Sequence, residues 1–334
     1  MDVLLIGGTG NISSSITRDL LARGENVWLF NRGRNRKFEQ YGARYIIGDL
    51  NDPEQMKASL DGLKFDVVAD FFCFTPEQAR RDYELFRGRT GQFIFISTCT
   101  VYQKPLKTWP IREDTPLKNP FSTYAQNKIA CELYLLERYR ENDFPVTIVR
   151  PSHTYGETKL VGPLLSWMDS HWTLADRMLR NQEIIVHGDG RSLWTLTHSD
   201  DFSAGFCGLT GNPASIGHAF HITSDENLTW NEIMTIFAHA LGTEPKIVNI
   251  PSAFIEENWP KFKSSLFGDK AENLVFCTDK LKRFVPAFSP KIPFHQGIRR
   301  SIAWYHAHPE TKIVDSIYNQ ETEALIDMYR RLGR

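Results

Sequence analysis

Between the apolar run Val3-Leu4-Leu5-Ile6 and a stretch carrying Ile16, Leu20 and Leu21 at helical spacing lies the segment Gly7-Gly8-Thr9-Gly10-Asn11-Ile12-Ser13. A strand that turns through glycines straight into a helix restricts the chain to a small set of layered α/β arrangements. Gly7 suits the tight turn. Gly10 lets the backbone approach a pyrophosphate seated on the helix N-terminus, where free N–H groups and the helix dipole favour an anion. The third glycine position of such a turn holds Ser13, which is small enough for close helix–strand packing. The turn thus predicts a dinucleotide site with contacts from Gly7, Thr9, Gly10, Asn11 and Ile12.

The pattern beyond the turn repeats. Val27–Phe30, Tyr45–Ile47, Val67–Phe71, Phe93–Ile96 and Val146–Val149 are further apolar runs, mostly continuous, as expected of strands covered on both faces. Helical stretches separate them, and Thr75-Pro76-Glu77-Gln78 supplies an N-cap, a proline at the first helical position and a glutamine placed for a capping box. Such repetition predicts an α/β fold with a Rossmann-type doubly wound parallel sheet.

After Pro151 the pattern loosens. Gly188-Asp189-Gly190 reads as a turn between short strands, Thr229-Trp230-Asn231-Glu232 as a capping box opening a helix to about Leu241, and Ile298–His306 as helical. Prolines at 251, 260, 286, 290 and 293 break up the remainder. The 334 residues therefore divide into a dinucleotide-binding domain over 1–165 and a smaller, mixed α/β C-terminal substrate lobe over 166–334, with segments near 195–222 returning to the first domain.

Charge and cysteine content narrow the partners. With 39 Lys+Arg against 40 Asp+Glu the chain lacks the basic footprint of a nucleic-acid binder. No apolar run approaches the roughly 20 residues of a membrane span. Cys73, Cys99, Cys131, Cys207 and Cys277 show no metal-ligand spacing and read as buried thiols in a reducing compartment. The expectation is a cytoplasmic protein without a metal, acting on a small molecule.

At the end of the second strand the sequence runs Phe30-Asn31-Arg32-Gly33-Arg34. It offers no carboxylate to hold, or to repel a phosphate from, an adenosine ribose. Arg32, Arg34, Arg36 or Lys37 can pair with a 2′-phosphate, which tilts the cofactor from NAD towards NADP(H). The other reading is a solvated loop in which Asn31 bonds the ribose of NAD. Asp49-Leu50 follows the third strand, where an adenine-edge contact falls.

Tyr-x-x-x-Lys places a phenol and an ammonium one turn apart on a helix, and the cation lowers a phenol pKa from about 10 so that tyrosine can exchange protons near neutrality. The chain holds two such patterns. Tyr155–Lys159 contains Gly156 and follows Arg150-Pro151, so it reads as a loop where that spacing does not align side chains. Tyr124–Lys128 follows Ser122 and Thr123, either a good N-cap, and leads into Ile129, Leu133 and Leu136. Upstream, Ser97-Thr98-Cys99-Thr100-Val101-Tyr102 brings hydroxyls to the end of a strand.

Together with Gly7-x-x-Gly10-x-x-Ser13, Gly48-Asp49-Leu50, Arg150-Pro151, Tyr155-Gly156, Gly188-Asp189-Gly190 and His198-Ser199-Asp200-Asp201, these residues resemble the extended short-chain dehydrogenase/reductase, or NAD-dependent epimerase/dehydratase, family. The resemblance implies Tyr124 as catalytic acid/base, Lys128 as its partner and nicotinamide-ribose contact, and Thr98 as the hydroxyl that bonds the reacting oxygen. It extends the cofactor track to Phe71, Pro151 and His153 and implies a sugar-type substrate near Tyr102, Arg191 and Trp194.

Two departures matter. The family's 4,6-dehydratases carry an Asp-Glu pair after the strand-end threonine; here Cys99-Thr100 follows Thr98, which disfavours dehydration. Nucleotide-sugar members clamp a diphosphate with an arginine where this chain has Trp194, leaving Arg191 or Lys270 to substitute and Trp194 to stack on a sugar face. The expectation is an NAD(P)-dependent enzyme acting on a hydroxyl carbon, with epimerase ahead of dehydrogenase or reductase. The resemblance also implies a homodimer through the helices that include Tyr124–Leu136. The alternative is a non-catalytic RNA-binding member, since some chloroplast stem-loop RNA-binding relatives share a similar Phe-Asn-Arg-Gly turn.

Overall fold

The computed structural model describes residues 1–166 and 170–333. Its first six strands are β1 (Asp2–Ile6), β2 (Asn26–Asn31), β3 (Arg44–Ile47), β4 (Phe65–Asp70), β5 (Thr90–Ile96) and β6 (Val146–Pro151). Further along come β7 (His153–Tyr155), β8 (Glu183–His187), β9 (Leu193–Trp194), β10 (Leu196–His198), β11 (Ala219–Ile222), β12 (Leu228–Thr229) and β13 (Lys246–Ile250). A seven-stranded parallel sheet runs in the order β11-β6-β5-β4-β1-β2-β3. This is a Rossmann-type doubly wound sheet.

The continuous apolar runs follow from burial on both faces. Val3 and Leu5 of β1 join one core cluster with Leu29, Ala69 and Ile94. Leu4 and Ile6 point the other way, into a cluster with Phe30, Val68 and Phe93. With a side-chain period of two, neither face is left to water, so no polar residue is needed between the apolar ones.

Four helices cover the first half: α1 (Ser13–Ala22), α2 (Pro53–Ser59), α3 (Pro76–Phe86) and α4 (Thr123–Asn142). Thr75 and Gln78 form the expected reciprocal box at the start of α3. Between β2 and β3, however, there is only the short 3₁₀ turn Glu39–Tyr41. That stretch opens with the polar Arg32–Lys37 and a glycine at φ +71°, so it has no apolar stripe with which to bury a helix.

The remaining helices are α5 (Trp172–Leu179), α6 (Ser199–Leu209), α7 (Trp230–Ala240), α8 (Ser252–Asn258), α9 (Asp279–Phe284), α10 (Phe294–Ala307) and α11 (Ser316–Arg331). Phe202 and Phe206 of α6 share a core with Ile16 and Leu20 of α1, and β11 pairs with β6. Elsewhere β8 pairs with β13, β9 with β12 and β7 with β10 around a separate core that includes Trp194, Trp230 and Phe237. None of the helices among the described residues is long and apolar enough to cross a membrane. All five cysteines are buried free thiols.

The glycine turn after β1 depends on a residue that spacing alone did not single out. Gly7 sits at φ +112° and Gly8 at φ +82°, whereas Gly10 has no such conformation. A β-carbon on Gly8 would lie 2.4 Å from Leu29 Cδ2. Gly8→Ala is expected to destabilise the protein by about 1–3 kcal/mol through left-handed strain and that clash. A urea titration checks it, and an unchanged midpoint would show that the turn relaxes freely.

Candidate active site

The carboxyl ends of β1, β4, β5 and β6 meet along one edge of the sheet, the edge where doubly wound folds bind ligands. Two cavities open there on either side of the glycine turn. One, of about 430 Å³, is lined among others by Ile12, Thr98, Tyr124, Pro151, His153 and Trp194. The other, of about 390 Å³, is lined by Gly7, Thr9, Gly10, Asn31, Arg32, Asp49 and Leu50.

In the first cavity, Thr98 caps a short 3₁₀ turn and accepts a bond from the Thr100 N–H at 3.2 Å. Ser122 caps α4 by accepting from the Ala125 N–H at 3.3 Å, which sets Tyr124 in the helix's first turn. Tyr124 and Thr98 line the same cavity. The Tyr124 pKa is pushed up to about 12, because desolvation of the phenol in the cleft outweighs the lowering effect of the neighbouring Thr98.

Here the structure corrects the sequence argument about Lys128. Its ammonium lies 5.9 Å from the centre of the Tyr124 ring and donates to the backbone carbonyls of Cys73 at 2.7 Å and Ile96 at 2.6 Å. At 2% exposure it must satisfy its donors within the protein, and the strand-end carbonyls are nearer than the phenol. Lys128 thus ties α4 to the ends of β4 and β5, and it does not lower the phenol pKa in this state.

Tyr102 is a second correction. It is fully buried, its hydroxyl pairs with His221 Nε2, and it accepts from Arg150 Nη1 at 2.8 Å. That leaves nothing to offer a substrate. Arg150 also grips Glu132 of α4 with both arms, Nε at 2.9 Å and Nη2 at 2.6 Å, and Glu132 in turn accepts the Ser97 hydroxyl. This buried network fixes the strand end beside Thr98.

Trp194 lines the cavity at 2% exposure and packs on Trp230, with ring centres 5.1 Å apart. Arg191 is exposed on its turn and is absent from the cavity wall, so it does not replace a diphosphate clamp there. His153 does line the cavity. Burial holds its imidazole well below the usual range, hence neutral, and its Nε2 has no partner.

The second cavity fits the adenosine half of a dinucleotide. Asn31 Oδ1 accepts from the Gly33 N–H at 2.8 Å, bending the loop so that Arg32 and Arg34 both line the cavity. Arg36 is taken by Glu39 at 2.8 Å and Lys37 by the Ser14 hydroxyl at 2.8 Å. Phe71 is displaced from its expected role: it packs on Phe206 at 5.9 Å in the core, while the neighbouring Phe72 and Phe74 line the cavity. Asn11 donates to the Thr154 carbonyl at 3.2 Å and faces a separate cleft behind the turn, with Ser14 and Lys37.

Sequence reasoning missed Lys159 and Asp269, which line the first cavity. Lys159 belongs to the Tyr-x-x-x-Lys pattern set aside as a loop. Its Tyr155 is indeed buried, against His198 and Phe294, yet the lysine at its far end reaches the cavity. Gly268-Asp269-Lys270 carried no spacing signal.

The sequence profile of the NAD dependent epimerase/dehydratase family matches residues 3–223. A 2′-dehydrokanamycin reductase from Streptomyces kanamyceticus is 26% identical over 76% of this chain and 71% of its own length. Human dTDP-D-glucose 4,6-dehydratase is 23% identical over 91% of this chain and 89% of its own. The structure of Thermus thermophilus UDP-glucose 4-epimerase with NAD superimposes with a TM-score of 0.71 at 22% identity, covering 92% of this chain and 99% of that one.

Proposed function

The chain belongs to the NAD-dependent epimerase/dehydratase family, and on that premise we propose that it is an NAD(P)-dependent oxidoreductase acting at a carbonyl or hydroxyl-bearing carbon of a sugar or sugar derivative. The observation that carries this reading is that Tyr124 and Thr98 share the cavity walled by Ile12, Pro151 and His153. The nicotinamide, when bound, supplies or accepts the hydride. Tyr124 exchanges the proton with the substrate oxygen, Thr98 holds that oxygen, and Lys128 positions α4 and the ends of β4 and β5 around them.

A phenol with a pKa near 12 is protonated at neutral pH, which suits giving a proton to a ketone oxygen. It suits the reductive direction, and the likeness to a 2′-dehydrokanamycin reductase sets reduction ahead of the epimerisation that the sequence reading placed first. Dehydration stays disfavoured on chemical grounds. The Cys99 thiol is buried, held well above its ordinary pKa and bonded to the Arg150 carbonyl at 3.2 Å, so it cannot replace a carboxyl acid/base. Denaturing the purified protein and identifying the released nucleotide tests the assignment. Exchangeable or absent cofactor fits a reductase, while tightly retained oxidised cofactor would overturn it in favour of an epimerase, whose redox cycle closes within one turnover.

Arg32 and Arg34, free of the ion pair that occupies Arg36, support NADP(H). Arg34→Ala is expected to weaken NADP+ binding by roughly tenfold to a hundredfold and to leave NAD+ binding within about twofold. Equal losses for both cofactors, measured by fluorescence titration, would remove the 2′-phosphate assignment. The same pairing counts against the RNA-binding reading, because Arg36 and Lys37 do not form an open basic strip.

A further inference from the structure

We infer that Lys159, on the wall of the Tyr124 cavity, and Lys270, which directly follows the wall residue Asp269, form a subsite for one anionic group of the substrate, a carboxylate or a phosphate monoester. This rests on the reading that substrate enters the Tyr124 cavity. Lys159 lines that cavity together with Asp269 and Trp194, and Lys270 follows Asp269 at the end of a π-helical turn, Leu266–Lys270.

Both lysines stand on anchored backbone. The turn holding Lys159 closes through its N–H to the Gly156 carbonyl at 3.2 Å. The Leu266–Lys270 turn is tied to the segment after β5 by Asn119, whose Nδ2 donates to the carbonyls of Thr100 and Gly268, both at 2.7 Å. On its other side the Lys270 carbonyl accepts from the Ser192 hydroxyl at 3.0 Å. The subsite is therefore held in place before a ligand arrives.

Neither ammonium has an ion-pair partner among the described residues, whereas lysines elsewhere do, as in Lys261 with Glu321 and Lys282 with Asp225. Burial depresses the pKa of both, and Lys270 lowers that of Lys159 further by repulsion. Among the described residues, Asp269 is the carboxylate set against Lys270. It also faces Lys104, whose Nζ is buried without a partner at 3% exposure. Asp269 and Glu272 thus offset Lys270 and Lys104, while Lys159 faces the like charge of Lys270, and that excess of positive charge is costly unless a ligand anion completes it. Among the described residues no arginine lines this cavity, so the subsite lacks the bidentate fork of a diphosphate clamp and offers point charges that suit a single anionic group.

The test is calorimetric titration of the full chain saturated with NADP+, using inorganic phosphate, glucuronate and neutral glucose. At least one anion is expected to bind tenfold or more tighter than glucose, and the phosphate and glucuronate arms tell which chemistry is preferred. Lys159→Met and Lys270→Met are each expected to weaken that anion by about tenfold or more while leaving NADP+ affinity unchanged. Because each substitution relieves repulsion, the melting temperature of the unliganded protein is expected to hold or rise, which separates lost binding from lost folding. Glucose binding as tightly as the anions, no anion binding, or lysine variants that keep the preference would each overturn the subsite. Loss of NADP+ affinity in the variants would reassign the lysines to the cofactor. Tyr124→Phe should keep anion binding, so turnover surviving in that variant would sink the catalytic reading and leave the subsite standing.

Discussion

Phenylalanine at position 124 is expected to lower turnover by about 10²–10⁴-fold, the range typical of removing a positioned proton donor. The change deletes one oxygen and keeps the ring. Tyr124 is 44% exposed, so little packing is at stake and the melting temperature should stay within a degree or two. NADP+ affinity is expected to be unchanged, which places the loss in the chemical step. Activity within tenfold of the natural protein, followed by nicotinamide absorbance with any sugar derivative that is turned over, would remove Tyr124 from the mechanism.

The direction of the pKa shift adds a pH signature. With the phenol titrating near 12, the proton-donating form dominates across the neutral range, so the reduction rate should be flat there and fall only in strong alkali. Oxidation needs the phenolate, so its rate should climb with pH throughout that range. A reduction rate that fell between pH 6 and 8 would show that another group donates the proton.

Arg150→Ala is expected to cost about 3–5 kcal/mol of stability, the penalty for leaving a buried carboxylate without its partner. Glu132 is fully buried on α4, accepts both arms of Arg150 and also takes the Ser97 hydroxyl, so removing the guanidinium strands a charge with no access to water. The same substitution removes a donor from the Tyr102 oxygen, which keeps His221, and from the Glu113 carbonyl, which Arg150 reaches at 2.8 and 2.9 Å. Replacing the pair together, Glu132→Leu with Arg150→Met, should recover much of the loss, because no charge is then buried alone. Urea titrations of the single and double variants check this; a single substitution costing less than about 1 kcal/mol would mean that water reaches the site.

Much of the scaffold was legible because its signals are local. Val3–Ile6 is buried on both faces and reads as a continuous run, Thr75 and Gln78 cap α3, and Ser122 starts α4 two residues before Tyr124. The cap also separated the helical Tyr-x-x-x-Lys from the one in the loop. Misplaced residues share a different cause. Phe71 and Phe72 are neighbours on a strand end, and which of them faces the cavity depends on Phe206 arriving from α6 to pack against the first. Tyr102 was drawn inward by His221 and Arg150, which come from two other strands.

By itself the sequence determined the doubly wound sheet, the turn that opens it and the helix that presents Tyr124, since each follows from periodicity, capping and burial within a few residues. The tertiary structure alone decided where charge falls in the site. The Lys128 ammonium turns to the Cys73 and Ile96 carbonyls, and Lys159 is brought beside Asp269 and Lys270. Electrostatic energy depends on distance and burial in space, and neither is written in the spacing of residues along the chain.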